Sequence, residues 1–131
     1  MGYDIFDDGF YLRLDRALPQ ALLRHAPARL DSFLAGHGLD RSKIDYWLFH
    51  PGGARILEYL EDTFALEKER CRWARDVLSN YGNLSSATVL FVLKEFMQSG
   101  VLAKGERALM MGIGPGLTIE LVLLRGSISI D

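Results

Sequence analysis

Tyr46-Trp47-Leu48-Phe49 is an apolar run that stops abruptly at His50-Pro51-Gly52-Gly53. A strand with one wet face alternates apolar and polar residues; one without alternation has to be covered on both faces. The strand expected over 44–49 therefore asks for helices on two sides of a mainly parallel sheet, with neighbours on either edge, which is the α/β class. A polar residue at the carboxyl end of such a strand, followed by a glycine loop and a helix, stands where open α/β folds place their ligands. Gly52 and Gly53 let backbone approach a ligand closely, or simply turn the chain from strand to helix.

A second stretch answers the first. Tyr81-Gly82-Asn83-Leu84-Ser85-Ser86-Ala87 opens the apolar run Thr88-Val89-Leu90-Phe91-Val92-Leu93. On its own terms Asn83 is a helix-capping residue, since its side-chain oxygen suits an orphan backbone N–H. Beside His50 it gains another reading. One His at a strand end and one Asn at a helix start can both donate to a single developing negative charge.

The remaining segments set the order of elements. Residues 1–6 and 10–14 read as strands joined at Asp7-Asp8-Gly9, with Phe10 in the core. Pro19 opens a helix carrying Leu22, Ala26, Leu30, Phe33 and Leu34, kinked or divided at Pro27 and stopped by Gly36 and Gly38. His25 and His37 belong to its polar surface. Further helices are expected over 55–64, 67–78 and 85–97, and strands over 107–113 and 117–124, joined by Gly114-Pro115-Gly116. The glycines at 112, 114 and 116 are spaced wrongly for a dinucleotide fingerprint and lead into a strand. Cys71 sits among arginines, which would lower its pKa, but no nucleophile-like turn surrounds it. Residues 127–131 read as a frayed tail. The order β-β-α-β-α-α-α-β-β fits one mixed five-stranded sheet packed with helices.

Composition narrows the partners. The 131 residues suit one domain; with 49% hydrophobic and 24% charged residues they can bury a real core. A formal net charge of −2 and the lack of a basic stripe argue against nucleic acid. No apolar run approaches a membrane span, and Met1-Gly2-Tyr3-Asp4 does not open a signal peptide. One cysteine excludes an internal disulfide and fits a reducing, cytoplasmic setting.

Three segments, taken in order, resemble one family. His50-Pro51-Gly52-Gly53, then Val77 to Ala87, then Gly112-Ile113-Gly114-Pro115-Gly116-Leu117-Thr118-Ile119-Glu120 look like the C-terminal half of a type III polyketide synthase. These are the chalcone and stilbene synthase-like enzymes of the thiolase superfamily, and the similarity runs from about Met1 to Arg125. The resemblance implies a thiolase-like C-terminal repeat over residues 1–131 and decarboxylative condensation of malonyl-CoA onto an acyl-CoA starter. His50 and Asn83 match the family's catalytic His and Asn. Gly52 and Gly53 match the loop along the pantetheine arm, Ser85 a pocket residue, and Gly114, Pro115 and Gly116 the cavity loop. Phe10 is a possible channel gatekeeper. The chemistry implied needs no metal or redox cofactor. Ile113 stands where plant members commonly have Phe, and Leu84 where Met is common.

The family's nucleophilic cysteine lies in an N-terminal half that these residues do not match, and Cys71 does not fit its context. The chain is therefore expected to be a fragment, a split-gene product or a truncated form. By itself it would be inactive, with an exposed apolar surface that favours a homodimer or other self-association until the missing half covers it. Two alternatives stay open: a ketoacyl carrier-protein synthase III-like half, and a non-catalytic thiolase-fold binding or assembly module.

Overall fold

The computed structural model describes residues 2–13, 18–114 and 118–127. The elements follow the expected order: β1 (Gly2–Phe6), β2 (Gly9–Arg13), α1 (Leu18–Gly36), β3 (Tyr46–Phe49), α2 (Ala54–Phe64), α3 (Arg72–Tyr81), α4 (Thr88–Ser99), β4 (Arg107–Gly114) and β5 (Thr118–Arg125). Pro27 lies inside α1, which is assigned as one helix of 19 residues. His25 and His37 are exposed. Met1, Leu14, Leu117 and the tail 128–131 fall outside the described residues.

The non-alternating run explains the layering. Trp47 and Phe49 point one way, where Phe64 of α2 stacks on them with ring centroids 5.6 and 6.1 Å away. Tyr46 points the other way, against Trp73 of α3 at 5.6 Å and Phe96 of α4 at 5.5 Å. Helices α1 and α2 thus cover one face, and α3 and α4 the other. Trp47, Leu48 and Phe49 are buried with Leu30, Leu34, Leu57, Leu60, Val77, Val92 and Leu109. Full burial of one such side chain is worth roughly 1.5–3 kcal/mol, so this strand is the centre of the core.

Two expectations about the sheet are corrected. The five strands form two sheets: a β1-β2 antiparallel hairpin, and a mixed sheet in the order β3-β4-β5. β3 pairs in parallel with β4, Trp47 opposite Leu109 and Phe49 opposite Met111. It is nevertheless an edge strand here; β4 is central, with β5 antiparallel on its far side. The hairpin exposes apolar side chains, with Ile5 at 72%, Phe6 at 59% and Phe10 at 75%, so Phe10 is surface and not core. Two five-residue strands cannot bury both faces by pairing with each other.

Two helices start later than their periodicity suggests. The 67–78 segment is a 3₁₀ turn (Lys68–Arg70) followed by α3, with the break at Cys71. Arg70 holds that turn in place by donating to the carbonyls of Ile44 and Asp45 at the entry to β3. The 85–97 segment likewise begins as a 3₁₀ turn (Ser85–Ala87), and α4 starts at Thr88. Among the described residues no helix is long and apolar enough to cross a membrane.

Candidate functional site

β3 ends at Phe49, yet the His50 main chain stays pinned to the sheet, because its N–H donates to the Met111 carbonyl at 2.9 Å. His50 as a whole is 9% exposed. Pro51 is buried, and Gly52 N–H donates back to the His50 carbonyl at 3.0 Å, folding the loop over the ring. A Cβ at Gly52 would lie 3.7 Å from His50 Cδ2 and 3.9 Å from Nε2. That is ordinary contact, so alanine would fit, but it would cover the Nε2 edge. Glycine leaves this edge open.

Burial pushes the His50 pKa below its ordinary value of 6.5. Desolvation penalises the imidazolium, so the ring is neutral at pH 7, with one N–H donor and one acceptor. Above pH 6.5 folded and unfolded forms are both neutral. As pH falls below it, the unfolded chain takes up the proton first and stability drops. An NMR titration of this chain should give His50 a midpoint below 6.5. A midpoint at or above 6.5 would contradict the burial argument.

Asn83 arrives from the other side of the sheet. α3 ends at Tyr81, and Gly82 (φ +72°, ψ −166°) turns the chain through a conformation that a side chain would strain. Asn83 Oδ1 then accepts from Ser85 N–H at 2.9 Å, and Nδ2 donates to the Gly52 carbonyl at 3.1 Å. One partner is a donor and the other an acceptor, which fixes the amide orientation. Asn83 is thus not the cap of α4, whose N-cap position is Ala87; its oxygen braces the 3₁₀ turn at Ser85 while its nitrogen reaches the histidine loop. One Nδ2 hydrogen is engaged by Gly52; the other has no partner among the described residues. The main chain of Gly52 links the two residues: its N–H donates to the His50 carbonyl and its carbonyl accepts from Asn83 Nδ2.

Ser85 is exposed and left-handed at φ +58°. Gly53 starts α2, its carbonyl accepting from Ile56 and Leu57 N–H at 3.1 and 3.2 Å. Its backbone is extended, open to any residue, and a Cβ there would meet nothing within 4 Å. Gly114 ends β4 opposite Thr118, whose hydroxyl a Cβ at Gly114 would meet at 2.5 Å. Because β3 and β4 are parallel and Phe49 is opposite Met111, the segment 112–114 runs on beyond His50 at the same end of the sheet. Pro115 and Gly116 lie outside the described residues. No hydrogen bond or ring contact among the described residues ties Phe10 to His50 or Asn83.

Thr88 did not stand out in the sequence. It is fully buried, and its hydroxyl accepts from Leu84 N–H at 2.8 Å and donates to the Ser85 carbonyl at 2.8 Å. The usable signal was a threonine at the start of an apolar helix, where its hydroxyl can bond back to the preceding turn.

Cys71 is corrected. Its thiol is buried and pushed up to about 12, by desolvation first and then by Glu61, whose Oε1 lies 3.7 Å from Sγ. Glu61 is held by Arg75 through hydrogen bonds of 2.7 and 2.6 Å. The arginines beside Cys71 in sequence are outweighed by the carboxylate beside it in space, so the thiol stays protonated and is no nucleophile at neutral pH. Among the described residues no group of three or more His, Cys, Asp or Glu is placed to hold a metal ion. What the cluster offers is hydrogen-bond donors: a buried imidazole and a half-used amide at the carboxyl end of β3.

Residues 2–128 match the family of chalcone and stilbene synthases, C-terminal domain. A 1,3,6,8-tetrahydroxynaphthalene synthase of Streptomyces coelicolor is 37% identical over 121 residues, covering 92% of this chain and 32% of that protein. A 3,5-dihydroxyphenylacetyl-CoA synthase of Amycolatopsis balhimycina is 36% identical over 123 residues, 94% of this chain and 33% of that one. The crystal structure of the Streptomyces coelicolor synthase, described as a bacterial type III polyketide synthase, superposes with a TM-score of 0.89 at 35% identity, covering 98% of this chain and 36% of that one. Another solved structure, PKS-I from the brown alga Ectocarpus siliculosus, gives 0.85 at 32% identity, covering 95% and 35%. The chain thus spans about a third of the length of the relatives it matches.

Proposed function

We propose, because this chain belongs to the chalcone and stilbene synthase family, that it supplies the oxyanion and decarboxylation residues of a type III polyketide synthase. The complete enzyme would be an acyltransferase that condenses malonyl-CoA with an acyl-CoA starter held on a cysteine from outside these residues. Malonyl-CoA loses carbon dioxide, and the electron pair of the broken C–C bond passes into a thioester enolate. The enolate carbon attacks the acyl thioester, a new C–C bond forms and the cysteine thiolate leaves. Negative charge develops on a thioester oxygen at both stages, and preorganised donors stabilise it.

The observation that carries this reading is the bridge at Gly52. Asn83 Nδ2 donates to the Gly52 carbonyl, and the Nε2 edge of His50 lies beside the same residue. One donor group from each of two segments therefore lies at Gly52. On this reading Gly52 and Gly53 leave room for the pantetheine arm, Ser85 is a pocket residue, and Gly114 at the end of β4 belongs to the loop that bounds the cavity. A neutral His50 suits donation to an oxyanion; a thiolate brought alongside would raise its pKa towards the imidazolium. The exposed Ile5, Phe6, Phe10 and Tyr11 of the β1-β2 hairpin support a covering surface, from the rest of the synthase or a second copy.

The test is the malonyl donor used by the complete synthase. Condensation with malonyl-CoA and an acyl-CoA starter, with no carrier protein present, is the expected result. Activity that appears only with malonyl-carrier protein would replace this reading with a ketoacyl carrier-protein synthase. Absence of condensation with either donor would favour a binding module.

A further inference from the structure

Asn83 can serve two loops only if its own turn is rigid, and nothing in Asn83 itself guarantees that. The turn is exposed from Asn83 to Ala87, and Ser85 sits at φ +58°, a conformation that costs an L-residue of order 1 kcal/mol per position without outside support. That support comes from Thr88. Its side chain is the one in the 83–88 segment that is fully buried. Its hydroxyl accepts from Leu84 N–H at 2.8 Å, donates to the Ser85 carbonyl at 2.8 Å, and lies 3.3 Å from Asn83 Oδ1. A hydroxyl has one proton to give. The shorter contact to Ser85 takes it, which leaves Asn83 Oδ1 to Ser85 N–H at 2.9 Å. The peptide unit on each side of Leu84–Ser85 is thus tied to one buried atom.

From this geometry we infer that Thr88 is a positioning residue for the reaction: its hydroxyl fixes the left-handed Leu84–Ser85 turn, and through it the direction of the Asn83 amide towards Gly52. The inference rests on the reading of Asn83 as an oxyanion donor and adds a residue to it. Thr88 touches no reacting atom. Removing its hydroxyl loosens the amide, and a misplacement of about 1 Å can cost up to about 100-fold in rate. Substrate binding along Gly52 and Gly53 is untouched, so kcat falls while KM holds.

The experiment uses the complete synthase with Thr88→Val, Thr88→Ser, Asn83→Ala and the Thr88→Val/Asn83→Ala pair. Thr88→Val keeps the side-chain shape and should lower kcat roughly 10-fold with KM within about two-fold. Thr88→Ser keeps the hydroxyl, serves as the folding control, and should restore kcat to within about two-fold. In the Asn83→Ala background Thr88→Val should add nothing, because a residue that acts through Asn83 has nothing left to position. Equal kcat in Thr88→Val and wild type overturns the inference. So do additive losses in the double variant, which would assign Thr88 a packing role. Full activity in Asn83→Ala would instead remove the site reading beneath it, and the inference with it.

Discussion

Asn83→Ala and His50→Ala in the complete synthase are each expected to lower turnover by about 100-fold or more, the usual cost of removing one oxyanion donor. The two losses differ in kind. Alanine at 83 deletes the donor to the Gly52 region and also the acceptor for Ser85 N–H, so it removes chemistry and turn support together. Asn83→Asp separates them. It keeps an oxygen for Ser85 N–H but brings a negative charge to the oxyanion, and it should be no better than alanine. His50→Gln keeps an amide donor near the Nε2 edge and should recover part of what His50→Ala loses. In the proposed mechanism both stages use the same donors, so malonyl decarboxylation and condensation should fall together. Unchanged rates for both stages in His50→Ala and Asn83→Ala would refute the site assignment.

How far the sequence carried this picture depends on whether the deciding neighbour was near in the chain. The order of nine elements was legible, because strand and helix periodicity and glycine stops are local. The β3 layering was legible too, since a run without alternation has to be covered twice. Sheet membership was not. Nothing in residues 2–13 says whether the hairpin joins β3, and the structure keeps it apart, with Phe10 on the surface. Cys71 failed for the same reason: its sequence neighbours are arginines, while Glu61, ten residues back and one helix away, sets its protonation. The positions of His50 just after β3 and Asn83 between α3 and the 3₁₀ turn before α4 were legible, because polar residues are conspicuous at element ends. Thr88 was hidden by its apolar company, and its role needed the left-handed Ser85 to be seen.

The largest effect on stability is expected at a glycine that plays no part in the site. A Cβ at Gly126 would fall 1.9 Å from the Ala103 carbonyl oxygen and 2.7 Å from its carbon. Both are main-chain atoms, so no rotamer change relieves the clash. The segment 103–106 is itself braced there: Gly126 N–H donates to the Glu106 carbonyl at 2.9 Å, and Gly105 N–H donates to the Gly126 carbonyl at 3.1 Å. Making room means parting the two chains and losing both bonds. Overpacking typically costs about 1–3 kcal/mol, and two lost backbone bonds add about 1–3 kcal/mol. Gly126→Ala should therefore cost roughly 2–6 kcal/mol, against a total stability on the order of 5–15 kcal/mol, and lower Tm by about 8–24 °C. Gly53→Ala is the matched comparison. Its backbone is already extended and its Cβ would meet nothing within 4 Å. Its stability should change by less than about 1 kcal/mol, while under the proposed function a methyl group on this loop should raise KM. Calorimetric melts of the two variants decide between these roles: a Gly126→Ala Tm within about 2 °C of wild type would mean that 103–106 yields freely, and the brace would not hold the end of β5.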